Sequence, residues 1–412
     1  EKGDTGAQGI AGKDGVDGEK GDTGAQGIAG KDGVDGAAGP EGPAGADGNN
    51  GEALGIPGAD GADGADGADG ADGADGVAIR NIPAGNVETL LDSTGDVGRY
   101  TSVTIGADGL GLISYRDGTN DDLKVAHCDN TACTSATTST IDSDGDVGHH
   151  TSITIGADGL GLISYRDLNN RDLKVAHCDN TACTSATTST IDSDGSVGEH
   201  TSITIGTDGV GLISYRDVTN RDLKVAHCSN TACTSARTSR LDSDGSVGEH
   251  TSITIGTDGR GLISYYDGTN DDLKVAHCSN TACTLATTST LDSDGNVGEH
   301  TSITIGADGL GLISYWDQTS FRLKVAHCDN GTCTSATKTS LIGTTGSNSP
   351  LTGTSITIGA DDLGLISMHR PDIQSLNLAH CSNINCTSYR MPKTGFIGGG
   401  AGGAYSSITI GA

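Results

Sequence analysis

"TSITIGADGLGLISYRDLNNRDLKVAHCDNTACTSATTSTIDSDGSVGEH", residues 151–200, returns nearly letter for letter from residues 101, 201, 251 and 301, and more loosely from Thr354. A period of 50 residues marks a unit that stacks on copies of itself. Four β-prone runs lie within it: A "TSITIG", B "GLISYRD", C "DLKVAHC" and D "TSATTSTID". Asp-Gly between A and B signals a tight hairpin, a polar loop joins B to C, and a short loop flanked by cysteines joins C to D. D reaches the next A through the longer "DSDGSVGEH".

Four antiparallel strands in three hairpins, followed by a longer link, make one blade of an all-β propeller. A β-solenoid is the alternative, although its coils are usually shorter and its strands parallel. A occurs seven times, the last as "SSITIGA" (406–412), and D seven times, the first as "VETLLD" (87–92), whereas B and C occur six times. Six blades are therefore complete, and the spare D and A are expected to form the outer and inner strands of a partial seventh. Six blades with a spare strand at each end stays open. The chain starts inside a triplet without Met and stops inside a blade, so it reads as part of a longer protein.

Ahead of this head, glycine holds every third position from Gly3 to Gly51 and from Gly55 to Gly76, the runs offset at "GEALG" (51–55). Only glycine fits where three polyproline-II-like chains meet, so strict triplets predict a collagen triple helix and hence a homotrimer. The predicted organisation is a stalk over 1–76 interrupted at 51–55, a linker over 77–86 and a propeller head over 87–412. The stalk has few prolines and a net charge of -13, against -30 for all 412 residues. It is expected to be hydrated, salt-sensitive and roughly 230 Å long at about 3 Å per residue.

The triplets "EKGDTGAQGIAGKDGVDG" and "GADGADGADG" resemble bacterial and viral collagen-like fibre proteins, whose stalks carry a head away from a surface. The "ISYYD…DLKVAHC…C" pattern, over residues 87–412, resembles repeats of bacterial surface and secreted proteins. This resemblance implies an extracellular location, on a cell surface or a virion or phage fibre.

The twelve cysteines form six His-Cys-x4-Cys hairpins: Cys128/Cys133, Cys178/Cys183, Cys228/Cys233, Cys278/Cys283, Cys328/Cys333 and Cys381/Cys386. One pair per hairpin predicts disulfides and an oxidising compartment; zinc is the rival reading, lacking a second nearby pair to complete a tetrahedral site. Variation among copies concentrates at the opposite end, in the B–C loops. The last-but-one residue of B is Arg116, Arg166, Arg216, Tyr266, Trp316 and His369 in turn. These types dominate binding hot spots, which makes the six the candidate ligand-binding residues; free drift of exposed loops is the competing account.

Asp142, Asp144 and Asp146 are spaced like the first half of a calcium loop, so calcium is the one cofactor considered, against a plain Asp-Gly turn. The histidines before each first cysteine, and His150, His200, His250 and His300 at the start of strand A, are read as structural groups hydrogen-bonded between blades. Lys124 and its equivalents are read as members of structural ion pairs.

Nucleophile elbows, phosphate loops and zinc-protease motifs are absent from the sequence. Near-identical blades repeat the same residues instead of converging different ones once, which argues against an enzyme; a sialidase or lyase would need a unique acidic or Tyr/Arg cluster. The acidic balance excludes nucleic acid as a natural partner, and no run is apolar enough to span a membrane. The expectation is a trimeric fibre presenting heads to a surface glycan or protein. A structural filament, sheath or spore or virion surface component that self-associates is the alternative.

Overall fold

The computed structural model describes residues 89–343, 353–370, 375–391 and 405–411. The chain divides into two units, Glu1–Ile82 and Pro83–Ala412. The Gly-X-Y stalk and the 77–86 linker lie outside the described residues, which belong to the second unit.

Each repeat folds as one four-stranded antiparallel sheet with its strands in sequence order. In the first, β1 (Val97–Ile105) pairs with β2 (Gly111–Asp117), β2 with β3 (Asp122–Cys128) and β3 with β4 (Ala136–Asp142). Five further sheets span 149–192, 197–242, 247–292, 297–343 and 354–390. Neighbouring A strands pack side by side, so the six sheets are the blades of a propeller and the parallel solenoid is ruled out.

Burial follows from that stacking. The B and C strands lie between two neighbouring blades and bury both faces, as in the fully buried "GLISYRD" of 161–167. Strand D is an outer edge, and its exposed Thr and Ser leave few apolar groups for edge-to-edge pairing. At the first seam Leu112, Leu123 and Val125 pack against Ile163, Tyr165, Ala176 and Cys178 of the next blade. The same residue types fill the next three seams, and the last brings in Trp316, Ile342 and Met368.

Each of these seams save the last also carries one Asp–Tyr–Lys set. Asp142, at the end of strand D, accepts from Tyr165 Oη (2.5 Å) and Lys174 Nζ (2.5 Å) of the following blade. Asp192, Asp242 and Asp292 do the same for Tyr215 and Lys224, Tyr265 and Lys274, and Tyr315 and Lys324. Asp92 takes this role for Tyr115 and Lys124.

The inner strands are linked by one repeated bond, in which a strand-A Ser hydroxyl accepts from the amide of the next A strand. It runs from Ser102 (to Ile153, 3.1 Å) through Ser302 (to Ile356, 3.2 Å). The terminal segment joins the series, since Ser355 accepts from Ile408 and Ser407 accepts from Val103, each at 3.2 Å. Even so, the expected partial seventh blade is not seen among the described residues. Residues 89–93 and 405–411 adopt no strand, and among the described residues the spare D meets no C partner and the spare A no B partner.

Candidate functional site

The axial site is built by a β-bulge. Opposite the third blade's B strand, Ser202 pairs with Ser214 and Glu199 with Arg216, so His200 and Thr201 face Tyr215 alone. His200 sits at φ 53°, in the left-handed region, as do His150 (52°), His250 (53°), His300 (53°) and Tyr100 (54°). Such bulges re-aim side chains and gather next to functional sites. Here they bring the rings to the propeller axis.

The result is a contiguous arc. Tyr405 lies 4.4 Å from Tyr100 between ring centroids, Tyr100 4.6 Å from His150, His150 4.6 Å from His200, His200 4.4 Å from His250 and His250 4.2 Å from His300. At the equivalent place in the sixth blade stands Gly353, which leaves a notch between the two ends of the arc. With Thr101, Thr151, Thr201, Thr251, Thr301, Thr354 and Ser406 these groups line a recess of about 310 Å³. That is within the range of small-ligand sites.

The arc is neutral. Burial pushes the imidazoles down, His150 to about 3 and His300 to about 4, and His200 and His250 fall well below the ordinary value through burial and each other's charge. No described residue hydrogen-bonds the ring nitrogens of these four histidines, so each ring offers one donor and one acceptor to the recess. The pattern could be found in sequence as a column, Tyr100, His150, His200, His250, His300, Gly353 and Tyr405, before each "TS" or "SS"; its inward aim depends on the bulge.

The six candidates from the sequence lie elsewhere. Arg116 (6% exposed), Arg166 (6%), Tyr266 (6%), Trp316 (0%) and His369 (5%) are buried, and Arg216 is nearly so, because the end of strand B is covered by the D–A link of the next blade. Arg116 bonds Asp121 and Asp146, Arg166 bonds Glu199 and Ser196, Arg216 bonds Glu199 and Glu249, and Tyr266 donates to Asp271 and Asn296. These candidate side chains therefore lie within the head, not on its surface.

The calcium half-loop is likewise dispersed. Asp142 serves the blade seam, Asp146 bonds Arg116 and His149, and Asp144 is exposed; no group of three or more His, Cys, Asp or Glu among the described residues is arranged for a metal. All six cysteine pairs are disulfides, which removes the zinc reading. His127 and its equivalents bond the Asp of their own blade's A–B turn, as His127 does Asp108 at 2.8 Å, not a neighbouring blade. Lys124 and its equivalents are the seam ion pairs.

The strand-A residue before each arc ring is Arg99, His149, Glu199, Glu249 and Glu299 in turn. Glu199 and Glu249 hold Arg216 between the third and fourth blades, and Glu299 lies opposite Trp316 on the neighbouring strand. Burial, then the charges of Glu249 and Asp271, raises the Glu299 pKa.

Residues 1–54 match the collagen triple helix repeat family. No curated protein matches the chain. Among solved structures it is similar to an α-L-arabinofuranosidase from Fusarium graminearum in complex with an iminosugar inhibitor (12% identity, TM-score 0.44, covering 66% of this chain and 88% of that one). It is also similar to a putative exo-β-1,3-galactanase from Bifidobacterium bifidum (11%, 0.38, 60% and 92%) and to NanB with Optactamide (8%, 0.46, 70% and 68%). The expectation that the chain is not an enzyme is corrected, since the solved structures it is similar to include an α-L-arabinofuranosidase and a putative exo-β-1,3-galactanase. At these identities and TM-scores they lend this collagen-like, propeller-headed chain no substrate and no catalytic residue.

Proposed function

We propose that this chain forms an extracellular trimeric fibre whose collagen-like stalk presents propeller heads that bind a surface glycan in the axial recess. The observation that carries the reading is the arc of four neutral, unbonded imidazoles and two tyrosines around about 310 Å³. A sugar ring offers hydroxyls for imidazole nitrogens and Thr hydroxyls and an apolar face for aromatic rings. An arc without formal charge suits a neutral polyol better than an ion. The Gly-X-Y match supports three chains per fibre, and three heads on one stalk turn weak contacts into avidity. Six disulfides fit an oxidising, extracellular setting.

The test compares the full chain with a His200→Ala/His250→Ala variant and with Gly353→Tyr, which fills the notch, on a glycan array and on intact cells. Selective binding that falls at least about tenfold in both folded variants supports the site. Binding unchanged in both variants, or no binding by a trimer that self-associates into ordered fibres, overturns it.

A further inference from the structure

Five seams between blades are filled, and among the described residues the place between the sixth and first blades is bordered by the two halves of the same seam lying open. On the sixth blade Leu365, Leu376 and Leu378 are half-exposed, where the equivalent Leu312, Leu323 and Val325 of the fifth are 0% exposed. On the first blade Ile113 and Cys133 are half-exposed, where Ile163 and Cys183 of the second are 0%. Two apolar faces therefore look toward one slot.

The slot's inner and outer borders are already set. On the inside, residues 405–411 take the bonds of an A strand from both sides, Ile408 amide to Ser355 and Ser407 to the Val103 amide. On the outside, Asp92 receives Tyr115 and Lys124 as the last residue of a D strand does at the next seams. An inner and an outer strand position exist, and the two positions between them belong to a B–C pair.

We infer that this slot is a docking site for a two-stranded β-hairpin of the head's own B–C type, apolar on both faces and seated beside the 405–411 segment. The occupant must be apolar on both faces, because it meets leucines on one side and Ile113, Tyr115 and Cys133 on the other. Strands A and B of every blade are joined by five residues, such as 106–110, so a hairpin attached to the inner segment is held at the slot at high effective concentration. The sixth blade's hairpin is the best-matched probe. Its Met368 and Asn377 stand where the others carry Tyr and Lys, so it brings no ammonium needing a seam aspartate.

The experiment appends the sequence of residues 361–381, with Cys381→Ser, after Ala412 of the full chain, and separately adds that hairpin as a free peptide to the unextended chain. The extended chain is expected to melt higher by about 5 °C or more and to bind less of a hydrophobic dye. The free peptide is expected to bind one per head, more weakly than the attached one. A control extension with serine at the positions copied from Leu365, Leu376 and Leu378 should give neither effect. The inference is overturned if the extension leaves the melting temperature unchanged and the peptide does not bind, or if the serine control stabilises equally. It is also overturned if heads pair with one another in a concentration-dependent way that the extension does not abolish, which would make a second copy the occupant.

Discussion

Lys174 Nζ stands 2.5 Å from Asp142 Oδ2 across the seam between the first two blades. Tyr165 donates to the same oxygen at 2.5 Å, and the ammonium lies 5.6 Å from the centre of the Tyr165 ring. Burial alone would raise the Asp142 pKa, but hydrogen bonds from Lys174 and Tyr165 outweigh it and hold the carboxylate below its ordinary value. At the sixth blade the three places are taken by Ile342, Met368 and Asn377, and Ile342 and Met368 join the seam's apolar cluster. The head thus contains both a polar and a largely apolar solution to one packing problem.

That contrast predicts opposite outcomes for partial and complete replacement. Asp142→Ala strands a buried ammonium and should cost about 3–5 kcal/mol. The triple change Asp142→Ile, Tyr165→Met and Lys174→Asn imports the sixth blade's set and should stay within about 1.5 kcal/mol of the parent. Urea midpoints of the two variants decide the matter; equal losses would show that the apolar set works only at its own seam.

Stability should fall with acid in two steps. The arc histidines have folded pKa values below 6.5, so between that value and about 4 the unfolded chain binds more protons and unfolding gains as pH drops. Because the rings border an open recess, the expected loss is a few kcal/mol, not the full sum of four buried groups. A second loss follows below 3.8, where hydrogen bonds from Lys124 and Tyr115 outweigh burial and hold Asp92 at about 2. Thermal melts from pH 7 to 2 should show both steps, and the His200→Asn/His250→Asn variant should flatten the first only.

The blades were legible because their signals are local. Alternating runs, Asp-Gly turns and paired cysteines define the six sheets within each 50-residue unit, and the seam lysines stand near an aspartate in the first four copies. The candidate site was not, for two physical reasons. Variation beside the B–C loops suggested that Arg116 and Trp316 were exposed, whereas a propeller covers that end of strand B with the next blade's link. The inward turn of His200 depends on a left-handed residue in a bulge, which no alternation pattern reveals.

The disulfides should not be equally reducible. Thiolate attack requires access, and Cys133 is half-exposed beside the open seam while Cys183, Cys233, Cys283, Cys333 and Cys386 are 0% exposed. Timed reduction under native conditions, followed by alkylation and peptide mass mapping, should open Cys128–Cys133 first. Each bridge closes a short loop and is expected to contribute about 2 kcal/mol. Simultaneous opening of all six would mean that global unfolding, not seam access, limits reduction.

Two glycines with the same sign of φ should respond differently to alanine, and the difference reports on the recess. Gly109 lies at φ 77° in the A–B turn with nothing within 4 Å of an added Cβ, so Gly109→Ala carries only the left-handed penalty of about 1–2 kcal/mol. Gly248 lies at φ 84°, and a Cβ there would meet Leu223 Cα at 2.9 Å, a backbone atom of the preceding blade that cannot swing aside. Gly248 comes two residues before His250, so relieving the clash must move the bulge that aims this ring at the axis. Gly248→Ala should therefore cost more than Gly109→Ala in urea and also shift the ring resonances of His250 and the adjoining His200 and His300. A stability loss with all three histidine resonances unmoved would show that the bulge is held by the inner-strand hydrogen bonds alone.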